Sequence, residues 1–356
     1  MSESIKADVV VIGAGPAGSA AAILCAQSGL NAIIVERERF PRDHAGETVH
    51  PGIEPLLNRL GVLGKVLAAG FPRHNGIWVQ WDSERQFTSF GGGDGTDPWK
   101  GFQVWRADFD AILLDQCRQL GVKILQPCQV LKPILNPNRD GVEGVSTSRG
   151  SIHSPYVIDA SGSQHWLAKQ LKINIKKYSP LLLASYGYAE GKHPSYENAP
   201  SITADSEGWT WIAKVRPLLY HWTRLYFSAE CFDKEFIPRA LSGMRKKGLT
   251  HSADVTWRIV STPAGRGYFM VGDAASVLDP SYSHGILKAI MSGMMASHLI
   301  KKTNSNKELR DIAIMEYHKW VTSWFTHDSN KLKEFYLKLA DPPAWMVRDK
   351  EDNLKV

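Results

Sequence analysis

Three side chains in this 356-residue sequence stand out as candidates for moving protons near neutral pH, and all three sit in turns. Glu47 and His50 lie in "HAGETVHPG" (44–52), and His284 lies in "DPSYSHG" (279–285). Imidazole and carboxylate groups act as proton donors and acceptors once their surroundings tune them. Loop hydrogen bonding is the competing role for the same residues. Thr48 and Ser283, beside them, read as hydroxyls that fix the loops. The second turn follows an apolar strand, "YFMV", that runs into Gly272-Asp273, where an aspartate can accept a hydroxyl.

A glycine loop far upstream indicates what reactive group these turns serve. "DVVVI" (8–12) reads as a buried strand, "GAGPAG" places glycines at 13, 15 and 18, and "SAAAILCAQSG" reads as a helix stopped at Gly29. "AIIVE" is a second strand ending at Glu36. Strand, G-x-G-x-x-G, helix, strand and acid together form a dinucleotide-binding fingerprint. Gly13 allows the tight turn, Gly15 lets the backbone approach a pyrophosphate, and Gly18 lets the helix pack on the sheet. The helix N-terminus offers free N–H groups to phosphate, and Glu36 accepts ribose hydroxyls. The loop alone does not choose between FAD and NAD.

Other segments add polar groups in order along the chain. Arg37 and Arg42 follow Glu36, and "GFQVWRADFDAILLDQCRQLGV" reads as a helix from Phe109, with Asp108 as cap or first-turn acid and Arg106 preceding it. "QPCQVLKPIL" reads as a strand, and "YVIDASG" as a strand ending in Asp159-Ala160-Ser161-Gly162. "ILKAIMSGMMASHLIKK" reads as a helix whose start, at Gly285-Ile286, directs partial positive charge into the preceding loop.

In this order and spacing the chain resembles flavoproteins of the para-hydroxybenzoate-hydroxylase fold, a superfamily of aromatic hydroxylases, flavin-dependent halogenases and geranylgeranyl reductases. The matching segments cover most of the first 300 residues. The resemblance implies FAD, with Gly13, Gly15, Gly18 and Glu36 on the adenosine half and Arg106 at the pyrophosphate. It places Val130 against adenine, Asp273 on the ribityl chain, and Gly285 and Ile286 along the isoalloxazine. Ala17, Arg37, Arg42, Gly46, Asp159, Gly162, Gly272 and Pro280 complete the expected cofactor-binding set.

"FPRDHAGETVHP" and "DPSYSHG" resemble the halogenase and reductase branch, with Thr48 in place of that branch's serine. "GWTWIAKVRP" is similar to the halogenase Trp-x-Trp-x-Ile-Pro signature at Gly208, Trp209 and Trp211, and departs from it at Ala213 and Lys214. No segment matches the halogenases' catalytic lysine. The reading is therefore an FAD-dependent monooxygenase hydroxylating an electron-rich aromatic ring through a C4a-hydroperoxyflavin. A narrower resemblance is to the monooxygenases of tryptophylquinone biogenesis, whose substrate is a tryptophan side chain in a partner protein. The alternatives are a halogenase, a prenyl reductase and a flavin-binding assembly factor without turnover. Glu47, His50 and His284 are the expected catalytic residues. The sequence holds no second G-x-G-x-x-G, so electrons come from transient NAD(P)H or from a separate flavin reductase.

To position these groups the fold must be α/β: a discontinuous Rossmann-like FAD-binding domain (1–75, 101–177 and 261–300) and an antiparallel-sheet substrate domain (76–100 and 178–260). A short C-terminal helical segment (301–356) follows. "LLLASYGYAEG", "SITADSEGWTWIAKV" and "YHWTRLYFSAE" read as the substrate sheet, and a strand period of two puts Trp209 and Trp211 on one face. Twelve tryptophans, among them Trp78, Trp81, Trp99 and Trp105, suggest an aromatic-lined pocket. Hydrophobic content of 43% with 22% charged residues fits a globular chain. The net charge of +6 suits a solvated surface or an acidic partner, and no basic run interleaved with aromatics points to nucleic acid. Four scattered cysteines with no zinc spacing, no signal peptide and no apolar run long enough to span a bilayer lead to an expected cytoplasmic location.

Overall fold

A computed structural model of the chain describes residues 4–42, 44–81, 84–91 and 99–347. The parts of the expected domains at 1–3, 43, 82–83, 92–98 and 348–356 lie outside the described residues.

Val9–Ile12 is buried along its whole length, as a run of β-branched residues covered on both faces must be. It lies in a six-stranded sheet ordered Ala264–Gly265, Tyr268–Met270, Tyr156–Asp159, Val9–Ile12, Ala32–Val35 and Lys123–Leu125. Its central pairings are parallel, so the strand ends that precede both ligand loops emerge at one edge. Helix α1 (Pro16–Gln27) follows the glycine loop, rich in alanine and buried over most of its surface.

Helix α2 (Arg106–Gln119) starts at Arg106, three residues before the first expected apolar position. Trp105 precedes the first turn without capping it, and Asp108 takes the first-turn place, paired with Arg216. The expected strand at 126–135 is narrower, because only Val130–Leu135 pairs, in a separate four-stranded sheet. Helix α3 (Gly285–Ser305) packs backbone to backbone on α1. A Cβ at Gly293 would lie 2.3 Å from the Ala17 carbonyl oxygen, and Ser297 Oγ donates to Ala21 O at 2.9 Å. Small residues on both helices make that approach possible.

A seven-stranded sheet is ordered Arg245–Asp254, Leu183–Glu190, Leu219–Tyr226, Gly208–Arg216, Ser201–Asp205, Gly76–Gln80 and Gln86–Ser89. All its pairings are antiparallel except that of Ser201–Asp205 with Gly76–Gln80. Helix α4 (Arg310–Tyr336) straps the two sheets together. Its first half packs Ala313, Tyr317, Val321 and Phe325 into the core of the six-stranded sheet, and its second half packs Leu332 and Tyr336 against Trp209 and Trp257. Among the described residues no helix is long and apolar enough to cross a membrane, and all four cysteines are free.

Candidate cofactor and active site

The two ligand loops meet in one cavity of about 630 Å³. It is lined by Glu36 and Val130, by Gly13 and Gly15 of the glycine loop with Arg106 and Asp273, and by Gly285, Ile286 and the inner face of the seven-stranded sheet.

The glycine loop has the shape its sequence demands. Gly13 sits at φ +97°, and a Cβ there would lie 2.5 Å from the Ala160 carbonyl oxygen. Gly18 faces away from the cavity, and a Cβ there would lie 2.0 Å from Gly13 O, so its role is packing. A Cβ on Gly15 would meet only Arg42 Nη2, at 3.6 Å, and would otherwise project into the cavity. The first turn of α1 carries no acidic residue. Glu36 is buried, accepting from Ala14 N through Oε2 and from Glu38 N through Oε1, both at 2.8 Å.

Ala17, Arg37, Arg42, Gly46, Gly162, Gly272, Asp273 and Pro280 also line the cavity. Asp273 is open to it. Arg106 donates through Nε and Nη2 to the two carboxylate oxygens of Asp110, both at 2.9 Å, and through Nη1 to Ala45 O at 2.7 Å. Arg42 lies 3.8 Å from Asp110, with a buried Nε that has no hydrogen-bond partner. Asp159 does not face the cavity. Its carboxylate accepts from Ser161 N at 2.9 Å and Leu167 N at 2.8 Å, fixing the turn behind the wall.

The three proton-handling candidates separate. Glu47 is 1% exposed at the cavity wall and accepts from Gly46 N at 2.9 Å and from Tyr188 OH. His221 Nδ1 lies 3.2 Å from Glu47 Oε2. Burial lowers the proton affinity of His221, against the pull of Glu47. His284 lines the cavity, and the His284, Lys288 and Asp328 side chains cluster where α3 meets α4. His50 stands behind the wall, its ring edge-on to His284 at 4.9 Å and its Nδ1 accepting from Gly52 N at 3.0 Å. Burial, with the charge of His284, takes His50 down to about 4.

Trp209 and Trp211 both face the cavity, as their spacing requires. Trp209 Nε1 donates to Tyr336 OH at 2.7 Å, and Trp211 Nε1 to Thr48 Oγ1 at 3.2 Å. The other lining tryptophans are Trp166, Trp320 and Trp324, whereas Trp78, Trp81 and Trp105 pack elsewhere and Trp99 is exposed. Sequence reading missed Tyr186, His221, Thr223, Lys288 and Asp328. Tyr186, His221 and Thr223 share the alternating inward face of the sheet, a pattern present in the sequence but without a partner to give it meaning.

These features fit FAD. The cavity presents a glycine-floored approach to helix N–H groups, an unpartnered buried arginine nitrogen beside it, and the buried carboxylate of Glu36. Residues 6–195 match the FAD binding domain family, more than half of the chain.

The chain belongs to the FAD binding domain family.

The flavoprotein is 29% identical to tryptophan 2-halogenase of Chondromyces crocatus, over 82% of this chain and 60% of that protein's length. It is 28% identical to the 1H-pyrrole-2-carbonyl-[peptidyl-carrier protein] brominase of Pseudoalteromonas luteoviolacea, over 85% of this chain and 79% of that one. Its fold superposes on the myxobacterial chondrochloren halogenase with a TM-score of 0.84, at 23% identity, over 93% of this chain and 83% of that one. The flavoprotein therefore shares the para-hydroxybenzoate-hydroxylase fold with the flavin-dependent halogenases it resembles, and FAD is its cofactor.

Proposed function

We propose that this protein is an FAD-dependent monooxygenase that hydroxylates an electron-rich aromatic ring. The supporting observation is the single cavity that joins the dinucleotide loop to a wall built from Trp209, Trp211, Tyr186 and the Glu47–His221 pair. Glu36 and Val130 would hold the adenosine, the α1 N-terminus with Arg42 and Arg106 the pyrophosphate, Asp273 the ribityl chain, and Gly285 with Ile286 the ring system. Bound FAD supplies the two-electron reduction and the activation of oxygen.

The chain's own residues orient, exclude water and handle protons. Trp211, fixed by Thr48, and Trp209, fixed by Tyr336, give rigid indole faces against which an aromatic substrate can be held. Phe325 and Leu332 of α4 add apolar surface that keeps water from these faces. Glu47 and His284 are the ionisable side chains among the original candidates that reach the cavity, and His50 supports His284 from behind.

Halogenation is the second reading, favoured by the named activities of the tryptophan 2-halogenase and the carrier-protein brominase. Two features weigh toward hydroxylation. Ala213 and Lys214 stand where the halogenase signature has Ile-Pro, and Lys288, the one lysine lining the cavity among the described residues, is tied to Asp328. The narrower form of the proposal takes a tryptophan side chain of a partner protein as the ring, on the way to a quinone cofactor. The brominase's name places its own ring on a carrier protein, a precedent for a ring presented by a macromolecule. Electrons come from NAD(P)H or a separate flavin reductase.

The test is to load the protein with FAD, reduce it, and add oxygen with free indole or a tryptophan-bearing peptide, with and without bromide. A gain of one oxygen supports hydroxylation, and a gain of bromine supports the second reading. Peroxide as the sole product with every aromatic acceptor contradicts both and leaves the assembly-factor alternative.

A further inference from the structure

We propose that His221 accepts the proton lost from the substrate's ring carbon and that Glu47 is a positioning residue that holds His221 for this task. The inference rests on the aromatic substrate proposed above but not on the choice between oxygen and halogen. In either reaction the attacked carbon briefly carries both its hydrogen and the new substituent. The C–H bond then breaks, its electron pair restores the aromatic ring, and the proton leaves to a base. No further oxidant enters this step.

The geometry selects His221. Glu47 reaches it from the turn before Thr48, whose short strand pairs with Gly101–Gln103, and His221 comes from the Leu219–Tyr226 strand, so the pair forms only where that turn meets the seven-stranded sheet. Both side chains are buried, at 1% and 4% exposure. Both carboxylate oxygens of Glu47 act as acceptors, one from Tyr188 OH and the other from Gly46 N, with His221 Nδ1 at 3.2 Å. A carboxylate oxygen at that distance favours the tautomer with its hydrogen on Nδ1, which makes Nε2 the acceptor nitrogen. The Thr223 hydroxyl lies 3.4 Å from Nε2, on the same cavity-lining face. A buried carboxylate that fixes the tautomer of a reactive imidazole is a recurring arrangement.

The surroundings keep the imidazole neutral. Tyr186 and Tyr188 of the adjacent strand lie with ring centroids 6.4 and 5.2 Å from His221, and His251 stacks on Tyr186 at 5.5 Å. Arg106 of α2 places its positive charge near Glu47. Burial outweighs Glu47 and lowers the proton affinity of His221, leaving Nε2 unprotonated at neutral pH. The other imidazoles near the cavity are less well placed. His44 lines it with Nδ1 against Ala45 O at 2.9 Å, beside the Arg106 guanidinium and away from the sheet wall, His50 already accepts from Gly52 N and does not reach the cavity, and His284 belongs to the Asp328 cluster.

Two measurements on FAD-loaded protein test this. The first is the ¹⁵N NMR signature of the His221 ring, which needs no substrate. Nδ1 protonated and Nε2 bare at pH 7, with that preference lost in Glu47→Gln, is the expected result, and the reverse tautomer in wild type overturns the proposal. The second is turnover of indole against ring-deuterated indole by wild type, His221→Asn and Glu47→Gln. Wild type is expected to show little isotope effect. His221→Asn is expected to lose about 10²- to 10⁴-fold in kcat, to develop a primary isotope effect because proton loss has become slow, and to keep its FAD affinity within about twofold. Turnover within threefold of wild type and no isotope effect in His221→Asn would refute the assignment, and Glu47→Gln gives the same reading if that variant does not fold. Absence of any indole product from wild type would count against the proposed substrate class, while the tautomer measurement still decides the role of His221.

Discussion

Replacing Gly15 by alanine separates cofactor binding from folding. Gly15 has φ −68° and ψ −177°, a conformation alanine adopts without strain, and its added Cβ meets nothing nearer than a side-chain nitrogen at 3.6 Å. Alanine is a poorer helix-capping residue than glycine by about 0.5–1 kcal/mol. It recovers about 0.4–1 kcal/mol by restricting the unfolded chain, so the apo protein's stability should be nearly unchanged. The same methyl group projects into the cavity where a pyrophosphate would contact the backbone. Overpacking there costs about 1–3 kcal/mol, which corresponds to a roughly 5- to 150-fold weaker Kd for FAD. Fluorescence titration with FAD and thermal unfolding of the apo protein measure the two effects. An unchanged Kd would show that no ligand backbone passes in front of Gly15, and the FAD placement would be wrong.

The neighbouring glycine gives the opposite pattern. Gly18→Ala places a Cβ 2.0 Å from Gly13 O, so urea unfolding of the apo protein should show a loss of about 1–3 kcal/mol. His74 is lowered from 6.5 to about 4, chiefly by burial, and is neutral when folded at pH 7. The unfolded chain takes up that proton first on acidification, so stability is greatest above the unfolded value and falls from there toward pH 4. Wild type should lose about 2 kcal/mol more than His74→Gln between pH 7 and 5, read from urea midpoints at the two pH values. Burial opposes ionisation of Asp328, but His284 and Lys288 outweigh it and hold the carboxyl below its usual range. Its stabilisation is therefore present above the unfolded carboxylate value and lost as pH falls through the lower folded one. Asp328→Asn should cost about 2 kcal/mol at pH 7, less than a fully buried pair because Lys288 is partly exposed, and the deficit should shrink below pH 4.

The parts of the fold and site legible in the sequence are those set by local spacing. Gly13, Gly15 and Gly18 with a strand before and a helix after determine a loop shape over six residues, and the Trp209–Trp211 pair determines a face because strand period is two. The alliance of Glu47 with His221 is set by how a distant turn packs on the seven-stranded sheet, and no local pattern carries that information. Asp159 reads as a cavity residue because it ends a strand at the ligand edge, yet the amides of Ser161 and Leu167 claim its carboxylate. Trp105, Trp78 and Trp81 are as aromatic as the lining tryptophans. Their side chains point to other packing layers, which only the sheet register and the path of the chain decide.

The claim on which the rest depends is that one FAD touches both the loop at residues 13–18 and the loop at residues 280–286. Amide hydrogen exchange with and without FAD measures this directly. Slowed exchange in both segments, together with one FAD bound per chain, is the predicted result. Protection confined to the first loop would mean that only the nucleotide end is held, and the account of a flavin delivered to the Trp211, Glu47 and His221 wall would not stand.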